Sequence, residues 1–227
     1  MQGVFAVAEV NRDAVPAGAP EAFEAAFQED TRTGRDRWYE TVREIDGQTF
    51  TFVPLALIPL PDGRTALVST GANDCTGHAC SGVNSVHYLR RERARYKVDG
   101  EWLDVGVGGT MGNPALRWAW TDAIDAAPVL YTQGGGVWQG YACSIASLVL
   151  LRPTGPVEIA RIPVRYSNGG ATDADGQVIT LDGHIVAARK GHSFTVHYTG
   201  SASFSERYVR RVDGRYDLDG TSRVPRC

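Results

Sequence analysis

Lysine is almost missing from this chain: 2 of its 23 basic residues are lysine, Lys97 and Lys190, and the others are arginine. Such an imbalance fits a GC-rich bacterial genome. Excess charge is also small, since 23 basic against 26 acidic residues leave -3. No global electrostatic pull toward nucleic acid or anionic lipid follows, and nucleic acid is not an expected partner. No apolar run approaches the roughly 18 residues that a membrane helix needs, so no membrane-spanning helix is expected. The first twenty residues have no basic start and carry Glu9, Arg12 and Asp13; they do not read as a signal peptide. Met1-Gln2-Gly3 reads instead as the opening of a mature exported chain whose signal has been removed.

Cysteine is scarce too, at 4 in 227 residues, but the number is even. Cys75 and Cys80 lie five positions apart in a loop rich in Gly and Asp and could bridge. Cys143 and the last residue, Cys227, form the remaining pair, and a terminal cysteine makes most physical sense as a staple for the C-terminus. Two bridges imply an oxidising compartment, and the periplasm is the expected location. Four reduced thiols in a cytosolic protein are the alternative.

What remains is ordinary globular material, 43% hydrophobic and 22% charged, enough for one domain or two small ones with a substantial core. Beyond Pro20, residues 21–30 place Phe23 and Phe27 at i, i+4 with acids in the first turn and Gly34 past the end, which is the pattern of one short helix. The pattern then changes to alternating and β-branched runs separated by turn dipeptides. Asp-Gly occurs seven times, starting at Asp46, Asp62, Asp99, Asp175, Asp182, Asp213 and Asp219, and it supplies the positive φ that tight hairpins require. Strands are expected over 37–45, 49–60, 64–70, 85–98, 102–107, 144–151, 157–166, 178–181, 184–188, 193–199, 204–212 and 215–218. The fold class is mainly β, antiparallel, with one short N-terminal helix.

The chain also echoes itself. Leu57-Ile-Pro-Leu-Pro-Asp-Gly63 matches Val149-Leu-Leu-Arg-Pro-Thr-Gly155, Val86-His-Tyr88 matches Val196-His-Tyr198, and Val98-Asp-Gly-Glu-Trp102 matches Val212-Asp-Gly-Arg-Tyr216, all in the same order. Two similar β units are expected, in a sandwich- or propeller-like arrangement within one compact domain. The expected organisation is an arm and helix over 1–35, a first β unit over 36–112, a Gly- and Trp-rich connecting segment over 113–140, and a second β unit over 141–227.

No strong catalytic or metal motif stands out, and no cofactor or metal is expected. Asp74-Cys-Thr-Gly-His-Ala-Cys80, with His87 nearby, could approach a zinc ion, but only with reduced thiols and a fourth ligand; a short disulfide loop explains the same residues. Asp173 and Asp175 sit two apart before Gly176, like the beginning of a calcium loop, yet the glycine comes too early for an EF-hand and a plain Asp-Gly turn accounts for it. The five histidines, His78, His87, His184, His192 and His197, form no close-spaced ligand motif. His87 and His197 hold equivalent places in the two echoed stretches, which argues for a packing role. Arg91, Arg93, Arg95 and Lys97 alternate as a basic stripe that could steer an acidic partner or simply guard an edge strand.

Gly134-Gly-Gly-Val-Trp-Gln-Gly-Tyr-Ala-Cys143-Ser, with His184 downstream, is similar to the arrangement in NlpC/P60-type cell-wall cysteine peptidases, whose nucleophile sits in an Asp-Cys-Ser-Gly turn. That resemblance implies an envelope cysteine hydrolase using Cys143 and His184. Here alanine replaces the aspartate, isoleucine replaces the glycine, and the residues that follow read as a strand and not as the helix that would lower a thiol pKa. A broader likeness covers most of the chain after Trp38: Leu60-Pro-Asp-Gly-Arg-Thr-Ala-Leu-Val68 and Gly134-Gly-Gly-Val-Trp-Gln-Gly-Tyr141 resemble stretches of uncharacterised exported proteins of Gram-negative bacteria, a likeness that brings no activity with it.

Rigid hairpins, a loop rich in aromatic residues and glycine, and a basic stripe point to action by binding. The expected function is a non-enzymatic inhibitor or immunity protein against a secreted hydrolase or toxin. Trp138, Gln139 and Tyr141 would enter the target's cleft while Arg91, Arg93 and Arg95 steer the encounter. A peptidoglycan- or carbohydrate-binding module is the further alternative.

Overall fold

The computed structural model describes residues 3–27, 32–33, 39–173 and 176–227. Two antiparallel sheets account for nearly all of the regular structure. The first is a six-stranded meander of β2 (Arg32–Thr33), β3 (Tyr39–Ile45), β4 (Gln48–Pro59), β5 (Thr65–Ala72), β6 (Val83–Glu92) and β7 (Arg95–Trp102). The second contains β8 (Arg117–Thr121), β9 (Val129–Trp138), β10 (Tyr141–Arg152), β11 (Gly155–Ser167), β12 (Thr180–Arg189), β13 (Ser193–Gly200), β14 (Phe204–Arg210) and β15 (Tyr216–Leu218), again in chain order. A two-residue strand from the N-terminal segment, β1 (Ala8–Glu9), pairs with β8 to make nine, and the sheet curls as a half-barrel.

Side-chain alternation sorts the apolar residues into three clusters. Along β10, Leu148 and Leu150 face the half-barrel core with Phe194, Val196 and Tyr198, while Val149 and Leu151 face the first sheet. Burial on both faces is why this strand reads as an unbroken apolar run. Val149 and Leu151 meet Leu55, Ile58, Val68, Val86 and Tyr88 of the first sheet. The opposite face of that sheet is covered by the helix α1 (Ala19–Phe27), whose Ala22, Phe23, Ala26 and Phe27 pack on Phe50, Phe52, Leu67 and Leu89. Nine residues are too few for a helix to be stable alone, so this apolar stripe holds α1 in place.

Both bridges form, Cys75–Cys80 and Cys143–Cys227, with Cα atoms 6.1 and 6.4 Å apart. Two hairpins turn through two residues of positive φ: Asp46-Gly47 at 50° and 76°, and Gln139-Gly140 at 49° and 84°. These are type I′ geometries, which match the twist of the strands they join.

Several boundaries differ from expectation. The segment 113–140, expected as a connection, contains β8 and β9, which belong to the second sheet, and the chain passes between the sheets over residues 103–116. The strand expected over 85–98 is a hairpin that turns at Arg93-Ala94. Arg93 takes φ 57° without a glycine to mark it, so the sequence has no turn signal there. Stretches 28–31 and 34–38, where the expected helix ends and the first strand begins, lie outside the described residues. Both echoed tripeptides keep the same alternation, with Val and Tyr buried in an apolar core and His on the other face. Strand by strand, however, the copies diverge, because β6 follows directly on β5 whereas β12 is interposed between β11 and β13.

Candidate functional site

The β9–β10 hairpin carries exposed aromatic and aliphatic side chains. Trp138 and Tyr141 are directly opposed across the turn, and Val137, Trp138, Tyr141 and Ile145 are 54%, 44%, 38% and 44% exposed. Gly140 allows the turn to pack on the loop after β11, where the Gly170 amide donates to the Gly140 carbonyl at 3.1 Å. A methyl on Gly140 would overlap the Gly170 backbone. The tip is therefore braced.

The three glycines before it belong to β9, so most of the loop expected over 134–141 is strand, and the glycines there have steric reasons. Residues 103–116 cross over β9, clamped by buried Asn84, whose side chain donates to the carbonyls of Val105 and Val107 at 3.1 and 3.0 Å and accepts from the Ala115 amide at 3.1 Å. A side chain at Gly134 would collide with the Gly108 carbonyl, and one at Gly136 would press on Thr110 and on the Trp138 ring. Gly136 thus leaves the space in which the indole lies.

Arg91, Arg93 and Arg95 are not a one-sided stripe. They surround the tip of the β6–β7 hairpin on the other sheet, where acids answer the charge: Arg91 lies 3.7 Å from Glu21 and stacks on Tyr96, Arg90 meets Asp99 at 2.9 Å, and Lys97 meets Glu92 at 3.8 Å. Arg93 and Arg95 are exposed. The basic and aromatic groups thus sit on hairpins of different sheets.

Cys143 is 7% exposed and bonded to Cys227. It supplies no thiolate in this form, and it lies inside β10, where no helix N-terminus among the described residues adjoins it, so the cysteine-hydrolase reading loses its nucleophile. Bridging of Cys75 to Cys80 likewise removes both thiolates from the zinc alternative. Asp175 of the calcium alternative lies outside the described residues.

His184 belongs to a different feature, a cleft of about 900 Å³ on the second sheet. The N-terminal segment runs along it from β12, where the Val4 amide donates to the Ile185 carbonyl at 2.9 Å, to β1 on β8. Phe5 anchors that segment against Tyr131, with ring centroids 5.4 Å apart. Two loose ion pairs border the cleft, Arg117 to Glu9 and Arg165 to Asp182, each at 3.8 Å. The Tyr131 hydroxyl donates to Gln133 at 2.8 Å, and burial pushes its pKa up. His184 and His197 lie directly opposite one another on β12 and β13.

His87 is a separate case. It is completely buried beneath α1, edge-on to Phe27 at 4.7 Å, and its Nε2 lies 2.9 Å from Glu101 Oε1. Burial lowers its pKa more than the contact with Glu101 raises it, so the ring favours the neutral form. This position fits the packing role inferred from the echo, whereas His197 stands at the cleft. No local signal marks the His184–His197 pair, because only strand register brings the two together. Comparisons with protein-family models, with curated proteins and with solved structures give no match for this chain.

Proposed function

We propose that the protein acts by binding, as an exported, periplasmic inhibitor or immunity protein that blocks a secreted hydrolase or toxin by inserting the β9–β10 hairpin into its cleft. The observation that carries this reading is the braced type I′ turn with Trp138 and Tyr141 opposed at its base, both substantially exposed. Rigid aromatic anchors lose little conformational freedom on binding, and they dominate interface energetics. Two bridges support an oxidising compartment. Arg91, Arg93 and Arg95, partly balanced by neighbouring acids, would affect the association rate more than the affinity.

The test compares wild-type protein with Trp138→Ala/Tyr141→Ala as bait in envelope and secreted extracts, then measures the captured hydrolase. Wild type should bind and inhibit stoichiometrically, while the double variant should lose at least about 2 kcal/mol of affinity, as expected for hot spots. Equal capture and inhibition by both would overturn the reading. Co-sedimentation with peptidoglycan that disappears in the double variant, without inhibition of any hydrolase, would instead assign Trp138 and Tyr141 to a glycan.

A further inference from the structure

We propose that His184 and His197 form a two-histidine clip for a divalent transition-metal ion, Cu²⁺ foremost and Ni²⁺ and Zn²⁺ more weakly. The two residues are 13 positions apart in the chain, and antiparallel register sets them directly opposite each other on β12 and β13. Opposed residues share a face of the sheet, with Cβ atoms about 4.5–5.5 Å apart. That spacing lets two imidazoles approach one ion at about 2.0–2.1 Å each. Both rings border the cleft of about 900 Å³, so solvent and ions reach them.

A further contact favours metal binding over simple surface exposure. His197 Nδ1 lies 3.1 Å from Ser205 Oγ on the next strand, β14. A hydrogen bond to one ring nitrogen fixes the ring and directs the other nitrogen outward as the ligand. Asp182 precedes His184 by two residues and shares its face, but it is engaged by Arg165 at 3.8 Å. Among the described residues no group of three metal-binding side chains converges. The clip therefore has two protein ligands, and its other positions go to water or to a ligand lying in the cleft. Imidazole nitrogen suits Cu²⁺, Ni²⁺ and Zn²⁺, with Cu²⁺ first in the affinity order, whereas Ca²⁺ and Mg²⁺ prefer oxygen.

The experiment uses the full chain with both bridges intact and titrates Cu²⁺, Ni²⁺, Zn²⁺ and Ca²⁺ separately. Cu²⁺ should give an electron paramagnetic resonance spectrum with two coordinated nitrogens and raise the thermal midpoint, because it binds the folded state. Lower pH should weaken it, since proton and metal compete for the same nitrogens. His184→Ala and His197→Ala should each abolish the two-nitrogen spectrum and the stabilisation. Ser205→Ala should weaken binding about tenfold, as loss of an orienting partner does, and His78→Ala should change nothing. If alanine loosens the strand, His184→Asn keeps a polar side chain there and should lose the metal equally. Failure of all three transition metals to bind, or retention of the two-nitrogen spectrum in both histidine variants, would overturn the assignment.

Discussion

Removing the Cys143–Cys227 bridge should destabilise the protein far more than removing Cys75–Cys80, although the structure around Cys227 should survive. The C-terminal tail has its own anchors: Glu206 accepts hydrogen bonds from the Ser222 hydroxyl at 3.0 Å and the Arg223 amide at 2.6 Å, Arg223 stacks over Phe204 at 4.1 Å, and Val224 is buried in the half-barrel core. The folded state of Cys143→Ala/Cys227→Ala therefore keeps its tail docked, and the loss falls on the unfolded chain. A sequence separation of 84 corresponds to about 4.5 kcal/mol of chain entropy in the loop-closure relation. The separation of 5 in the other bridge gives about 2 kcal/mol by the same relation. Equilibrium denaturant unfolding of the oxidised wild type, Cys143→Ala/Cys227→Ala and Cys75→Ala/Cys80→Ala measures both. The first double variant should also show a larger dependence on denaturant, because its unfolded chain opens further. Equal costs for the two bridges, or a cost below about 1 kcal/mol for the long one, would refute the view that the long bridge acts through the unfolded state.

Acidification should loosen the helix-covered face through His87. Its folded pKa lies below the ordinary histidine value because of burial, so the neutral ring's contribution is fully present above the unfolded pKa of about 6.5 and is lost as pH falls through that value toward the folded one. His87→Gln should flatten the fall in stability between neutral and mildly acid pH, as read from denaturation midpoints across that range; identical slopes for variant and wild type would refute it. Asn84→Ala should leave the carbonyls of Val105 and Val107 and the amide of Ala115 without their side-chain partner, at a cost of at least about 2 kcal/mol. Hydrogen exchange should then rise across residues 103–116; unchanged exchange would show that the crossing segment is held by other contacts.

Most of the architecture was legible because it rests on local signals. Asp46-Gly47 marks a hairpin whose geometry needs positive φ at both positions, and Phe23 with Phe27 marks a helix that survives only by covering Phe50 and Phe52. The pairing of cysteines followed from the short spacing of Cys75 and Cys80, which leaves Cys143 and Cys227 to each other. What failed was equally physical. The Arg93-Ala94 turn has no residue with turn preference, and Arg93 is held in a left-handed conformation by the two strands that meet there. An alternating run of charges then passes for one strand when it is two. Segment 113–140 reads as a Gly- and Trp-rich connection, whereas it contains β8 and β9, and Gly134 and Gly136 are small so that residues 103–116 can cross close above β9.

The same distinction governs the sites. Trp138 and Tyr141 could be singled out because they flank their own turn, so four consecutive residues determine their relation. His184 and His197 could not, since the distance between them depends on the register of a longer hairpin, and the sequence echo grouped His197 with buried His87 instead. That grouping captured a real regularity, for each histidine faces away from the Val and Tyr that flank it in its strand. The environment on that far face decides what the ring can do. Beneath α1 it meets Phe27 and Glu101, where burial keeps it neutral. On the half-barrel sheet no helix among the described residues covers it, and it meets Ser205 and lies opposite a second histidine at an open cleft. One tripeptide can therefore serve packing in the first sheet and ligand capture in the second, because strand alternation selects the face while the layer above that face selects the chemistry.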